Sequence, residues 1–140
     1  APEQPPLSYK QLRENIARLV SQLHSFGLGQ GDRIAIAMPN GTPMAIAFLA
    51  SALCATACPL NPKYKQEEFA FYYEDTQAQA LIVLPGTVPE AKSAITPTVK
   101  LIYANVETDG TLSFELIAGD RNPPTQSSPP DADSIAMILH

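Results

Sequence analysis

Residues 33–60 read RIAIAMPNGTPMAIAFLASALCATACPL, and the order of their apolar runs decides the fold class. The first six residues form a short run that is mostly apolar on both faces, the pattern of a strand buried inside a parallel sheet. Pro39 and Asn40 end that strand. Thr42 followed by Pro43 reads as an N-cap and a first helical position. Residues 43–55 are apolar almost all round, which marks a buried helix. Residues 57–60 then make a second short strand. Strand, helix and strand in this order form the unit that joins two parallel strands.

The flanks continue the same alternation. Upstream, Leu12, Ile16, Leu19, Val20, Leu23 and Phe26 recur at three- and four-residue steps and make one helical stripe. Ser8 and Gln11 have the spacing of a capping box, and Gly27 follows the last periodic residue as a left-handed stop. Downstream, residues 66–75 read as a helix with Phe69, Tyr72 and Tyr73 inward. Residues 80–84 (ALIVL) read as a third strand, 90–95 as a short helix and 99–104 (VKLIYA) as a fourth strand. The expected class is α/β: a mostly parallel sheet with covering helices. A small hairpin is expected around Asp109 and Gly110. Residues 119–134 are Pro/Ser-rich and read as a linker after an α/β subdomain spanning 1–118. Residues 135–140 begin a further strand, so the expected domain is an incomplete portion of a larger one.

Composition bounds the function. The chain has 140 residues, 45% apolar and 16% charged, which is globular and fits one domain. Its formal net charge is −5, and that argues against a nucleic-acid partner, which needs cationic surface. Residues 1–103 carry eight acids and eight bases, whereas 104–140 carry six acids and only Arg121. The imbalance therefore belongs to a solvated connector. Two cysteines fit a reducing compartment and are too few for a disulfide framework. The longest apolar tract, 44–60, is broken by Ser51, Thr56 and Pro59 and falls short of the roughly 20 residues that span a bilayer. No transmembrane segment is expected.

Few side chains suggest chemistry. Gly27, Gly29 and Gly31 resemble a phosphate-cradling loop in composition, but a helix precedes them and a strand follows. That is the reverse of the order that aims a helix N-terminus at an anion. They read as a turn. Cys54 and Cys58 read as core, with no metal expected, because too few further Cys or His ligands lie nearby. His24 suits the C-terminal dipole of its helix. Glu67, Glu68, Glu74 and Asp75 read as a solvated face. The stretch NPKYK, residues 61–65, is different. It directly follows a strand and precedes a helix, and ligands of open parallel sheets bind outside the carboxyl ends of strands. Lys63 and Lys65 are candidates to meet a phosphate as flexible point charges. The alternative is an ordinary surface loop.

Several segments together carry a family resemblance: LSYKQL (7–12), GLGQGDRIAIAMPN (27–40), AIAFLASALCATACPLNPKYKQEEFAFYYEDT (45–76) and DSIAMILH (133–140). In that order they resemble the N-terminal part of the adenylate-forming (AMP-binding) ligases. Within these, PLNPKYKQEEFAFYYEDT is most similar to the acyl-CoA synthetases, in particular the oxalyl-CoA and peroxisomal CoA synthetase group. The resemblance implies a two-step reaction. A carboxylate attacks the α-phosphate of ATP, releasing pyrophosphate and forming an acyl-adenylate. The CoA thiol then attacks the acyl carbon and AMP leaves. ATP, Mg²⁺ and CoA are the implied cofactors, and a carboxylic acid is the substrate. The remainder of the ligase, including a mobile C-terminal domain, is the implied partner.

The family's Ser/Thr/Gly-rich phosphate loop normally follows a segment like 136–140. The resemblance therefore places His140 at the entrance to that loop and assigns no catalytic residue to this chain, which is expected to be inactive alone. It also implies a CoA-phosphate contact for Lys63, with Lys65 as the neighbouring alternative. The implied compartment is cytoplasmic or peroxisomal. Two rival functions stand beside this one: a non-enzymatic α/β partner module marked by an exposed apolar patch, and an amino-acid-adenylating domain that loads a carrier protein.

Overall fold

The structure, a computed structural model, describes residues 8–119. Nine elements alternate as expected: α1 (Tyr9–Ser25), β1 (Arg33–Ile36), α2 (Thr42–Cys54), β2 (Thr56–Pro59), α3 (Gln66–Thr76), β3 (Ala80–Val83), α4 (Pro89–Ser93), β4 (Lys100–Val106) and β5 (Leu112–Ala118). The five strands make one sheet in the order β2-β1-β3-β4-β5. The first four are parallel and β5 is antiparallel to β4. The expected hairpin is therefore not a separate unit. It begins inside β4, and its second arm extends the main sheet as a fifth strand.

Strand alternation sends successive side chains to opposite faces and so divides the core. Ile34 and Ile36 of β1, Ile82 of β3, and Ile102 and Ala104 of β4 pack against α1 and α2. Ala35, Leu81, Val83 and Leu101 pack against Phe69 and Tyr73 of α3 and Ala91 of α4. The result is three layers, with helices on both sheet faces.

The first helix forms as its caps dictate. Gln11 N donates to Ser8 Oγ at 3.0 Å, and Ser8 N donates back to Gln11 Oε1 at 2.9 Å. Gly27 takes φ +90° just past the helix, a conformation that costs glycine little. A buried polar residue also ties α1 to the far edge of the sheet. Asn15 Nδ2 donates to Leu112 O and accepts from Leu112 N through Oδ1, both at 2.8 Å. Phe114 N donates to Gln22 Oε1 at 2.8 Å. These contacts occupy backbone groups of an edge strand that would otherwise invite another strand. At the opposite edge β2 is only four residues long and ends in Pro59, which lacks a backbone donor.

Three expectations need correction. The N-cap of α2 is Gly41, not Thr42, which is already helical. Gly41 reaches φ +150° and offers no side-chain cap. Helix α2 is not buried all round. It buries Ile46, Ala47, Ala50, Ser51 and Cys54, while Phe48, Leu49 and Leu53 are exposed. Tyr72 is not a core residue like Phe69 and Tyr73, because it is half-exposed and stacks on Tyr64 of the preceding loop. The further strand read at 135–140, and all of the linker 119–134 except Gly119, lie outside the described residues.

Candidate functional site

In a parallel sheet every strand points its carboxyl end the same way, so the turns leaving β1 to β4 share one end of the molecule. Those turns are 37–41, 60–65, 84–88 and 107–111. The first reads AMPNG, the third LPGTV and the fourth ETDGT. Only the second, LNPKYK, carries cations. Any anion bound at this end and held by charge on these turns has Lys63 and Lys65 to meet.

The loop that presents them is fixed locally. Lys63 N donates to Asn61 Oδ1 at 2.9 Å, an Asx turn that bends the chain away from β2. Tyr64 N donates to Asn61 O at 3.1 Å. Between the lysines, Tyr64 turns inward. Its ring stacks on Tyr72 at 5.1 Å and meets Phe69 edge-on at 5.7 Å. A hydrogen bond with the Tyr72 side chain pushes the Tyr64 hydroxyl pKa above its ordinary value. Lys65 N donates to Glu68 Oε1 at 2.7 Å, closing the first turn of α3. Anchoring Tyr64 leaves the residues on either side of it facing water, and Lys63 and Lys65 are both exposed. Among the described residues neither ammonium is paired with a carboxylate.

The glycine turn occupies the other end. Residues 27–31 join the C-terminus of α1 to the amino end of β1. Gly29 N donates to Asp32 Oδ2 at 2.9 Å. Burial pushes the Asp32 carboxyl above its usual value, against the pull of that bond and of Lys100 and Arg33. Arg33 closes the turn, donating from Nε to Thr76 O at 2.7 Å and from a terminal nitrogen to Gly31 O at 3.0 Å. Gly29 N and Gly31 O of the turn are thus engaged within the fold, and no helix N-terminus follows it.

The other chemical candidates resolve into packing. Cys54 is buried, its thiol meets Leu28 O at 3.6 Å, and burial pushes its pKa up to about 11. Cys58, half-buried on β2, is also raised by burial. His24 is exposed in the last turn of α1. Glu67, Glu68, Glu74 and Asp75 are exposed. Among the described residues no group of three metal-ligating side chains comes together. No helix there is long and apolar enough to cross a membrane. His140 lies outside the described residues.

Sequence reasoning missed where the sheet reverses. The order β2-β1-β3-β4 sends the connection from β1 one way along the sheet and the connection from β3 the other way, so the reversal point, where ligands of open parallel sheets bind, falls between β1 and β3. Turns 37–41 and 84–88 flank it. The signal was the Pro39-Asn40-Gly41 and Pro85-Gly86 turns there, which became interpretable only with the strand order.

Known proteins match this chain across nearly its whole length. The profile of the AMP-binding enzyme family matches residues 3–140. A protein of Humulus lupulus named as a probable CoA ligase is 32% identical over 142 aligned positions, covering 96% of this chain and 26% of its own. An oxalate–CoA ligase of Saccharomyces cerevisiae is 42% identical over 65 residues, covering 46% of this chain and 12% of its own. Among solved structures, MatB of Rhodopseudomonas palustris aligns at a TM-score of 0.56 and 25% identity, covering 76% of this chain and 21% of that one. A benzoate CoA ligase of Burkholderia xenovorans aligns at 0.65 and 21% identity, covering 71% and 21%, and bears on the fold alone. The chain spans about a quarter or less of the length of these relatives.

Proposed function

The chain belongs to the AMP-binding enzyme family, and from that premise we propose that it supplies the N-terminal α/β scaffold of an ATP-dependent acyl-CoA ligase. The reaction proposed is adenylation of a carboxylic acid by ATP with loss of pyrophosphate, followed by thioester formation with CoA and loss of AMP. The observation that carries the reading is the placement of Lys63 and Lys65. They are the cations on the turns leaving the carboxyl ends of β1 to β4, in a family whose relatives include named CoA ligases.

The described residues fit one part of this chemistry. Lys63, with Lys65 beside it, suits a phosphate of the CoA nucleotide. Each ammonium brings three donors on a flexible stem and needs no fixed fork geometry to meet a phosphate. The Tyr64 anchor holds the loop that carries them. The described residues do not fit ATP or Mg²⁺: the glycine turn is at the wrong end of the sheet, and no carboxylate cluster forms there. No step through either group is assigned to them. Catalysis is proposed to require residues that correspond to the remainder of the relatives, including a mobile C-terminal domain. His140 is proposed to position a phosphate loop. The cytoplasm or the peroxisome is the proposed compartment.

Replacing Lys63 by Ala in the full-length enzyme tests the assignment. The Michaelis constant for CoA should rise about tenfold, the loss of roughly 1.4 kcal/mol of binding. Pyrophosphate exchange, which reads the first half-reaction, should not change. Equal loss in both halves, or loss in neither, removes Lys63 from the CoA site.

A second reading has its own support. The salicyl-AMP ligase / salicyl-S-ArCP synthetase of Mycobacterium tuberculosis is 25% identical over 95% of this chain, and a dimodular nonribosomal peptide synthase of Bacillus subtilis is 36% identical over 54%. Under this reading the acceptor is a carrier-protein thiol. AMP release stimulated by a carrier protein and not by free CoA would select it.

A further inference from the structure

Asn40-Gly41 and Asp109-Gly110 both place a glycine directly after a residue whose side chain ends in a carbonyl one carbon beyond Cβ. In such a pair the glycine nitrogen can attack that carbonyl and close a five-membered ring. Glycine has no Cβ to shield its nitrogen, and asparagine is a thermolabile residue. The attack needs a free nitrogen and an unengaged side chain. The sequence marks the two pairs alike, and the structure separates them on both counts.

The Asp109 pair is committed. Gly110 N donates to Glu107 O at 2.9 Å. Asp109 Oδ1 accepts from Thr111 Oγ1 at 2.6 Å and from Thr111 N at 3.0 Å. The Thr111 hydroxyl and N–H hold this carboxyl below its ordinary value, and an ionised carboxylate is a poor target for a nucleophile.

The Asn40 pair is free. Asn40 and Gly41 are both exposed. Gly41 caps α2, and its carbonyl accepts the helix's first bond from Ala45 N at 3.0 Å. Its own N–H is one of the donors that a helix start leaves without an intrahelical partner. Among the described residues nothing accepts from Gly41 N, and nothing bonds the Asn40 amide. At φ +150° the backbone holds glycine here, so the nitrogen stays unshielded.

The other described asparagines lack these features. Asn15 is buried and bonded both ways to Leu112. Asn61 precedes Pro62, which has no N–H. Asn105 donates to Glu115 Oε1 at 3.1 Å and precedes the β-branched Val106 within β4.

We propose that Asn40 is a site of spontaneous deamidation. Gly41 N bonds to Asn40 Cγ, and the side-chain nitrogen leaves as ammonia with the proton that Gly41 N gives up. Water then opens the succinimide. Opening at Cγ gives aspartate, and opening at the Asn40 backbone carbonyl gives isoaspartate. Either product carries a carboxylate, so the neutral turn 37–41, beside the reversal point between β1 and β3, becomes anionic. The chemistry holds whether or not the ligase reading does.

Ageing the full-length protein in warm, mildly alkaline buffer tests it, with peptide mass mapping and labelling by an isoaspartyl methyltransferase. Synthetic peptides of residues 36–45 and 105–114 supply the unfolded reference. Asn40 should convert in the protein at a rate close to that in its peptide, with isoaspartate in excess. Asp109 should react about tenfold slower in the protein than in its peptide. Asn40→Gln changes an exposed side chain and should remove the methyl label from this turn. An Asn40 that stays intact in the protein while its peptide converts would overturn the proposal. So would an Asp109 that reacts as fast folded as unfolded, since engaged groups would then give no protection.

Discussion

The turn 27–31 and the loop 61–65 both attract attention as phosphate sites, one for its glycines and the other for its lysines. They lie at opposite ends of the same sheet. The glycine turn enters β1 at its amino end, where Gly29 N donates to Asp32 and Gly31 O accepts from Arg33. The lysine loop leaves β2 at its carboxyl end, and its cations face water while Tyr64 holds the backbone. Composition would have favoured the glycines. Polarity along the strand favours the lysines, because helix N-termini and open crevices gather at the carboxyl ends. One turn is a structural joint, and the other is the proposed contact for a ligand.

That contrast can be broken by substitutions that separate stability from binding. The largest expected effect is on the joint. Arg33→Ala removes charged hydrogen bonds to three carbonyls, those of Thr76, Gly31 and Gln77. It should cost about 2–3 kcal/mol in urea unfolding, with the CoA Michaelis constant of the full-length enzyme unchanged. A large change in that constant at equal stability would erase the distinction between the two turns. Lys63→Ala comes next and is the mirror image. It should weaken CoA about tenfold, as argued above, with the unfolding midpoint unmoved.

Smaller again is Glu68→Ala, which leaves Lys65 N without its acceptor. It should cost about 0.5–1 kcal/mol and loosen the loop enough to raise the CoA Michaelis constant slightly. The smallest effect is in the pH profile. Burial holds the Asp32 carboxyl pKa above 3.8 in the folded state. Its contribution is therefore full below that value and is lost as pH rises through the higher folded value. Asp32→Asn keeps an acceptor for Gly29 N and should flatten that part of the stability profile. An unchanged slope would show that Asp32 titrates as it does in the unfolded chain.

Local signals in the sequence are read correctly where a short-range interaction decides the outcome. Ser8 and Gln11 cap α1 because the box closes over three residues. Gly27 stops that helix because the stop needs only a left-handed residue. The strand RIAIAM is legible because both its faces are apolar. What misled was α2. An apolar helix reads as buried whether its second face meets this core or something else, and periodicity does not say which. The hairpin's membership of the main sheet was hidden for a similar reason, since it follows from the pairing of its first arm, β4, with the distant strand β3; the ties from Asn15 and Gln22 to β5 span more than ninety residues. At the candidate site the position of Lys63 and Lys65 between a strand and a helix was legible, while the phosphate contact proposed for them rests on the family resemblance. Tyr64's partner was not, because the Tyr64–Tyr72 stack depends on how the loop folds back over α3.

The sequence by itself determined the alternation of helices and strands and the parallel class of the sheet, which follow from side-chain periodicity, caps and local order acting over a few residues. The family, and with it the reason to test Lys63 and Lys65, came from the resemblance of whole segments to known ligases. Only the tertiary structure decided the strand order, the reversal point between β1 and β3, and which turns share an end. It also decided that one side of α2 remains uncovered among the described residues. Those features depend on which strands pair and which faces meet, and the free energy of such contacts belongs to residues far apart in the chain.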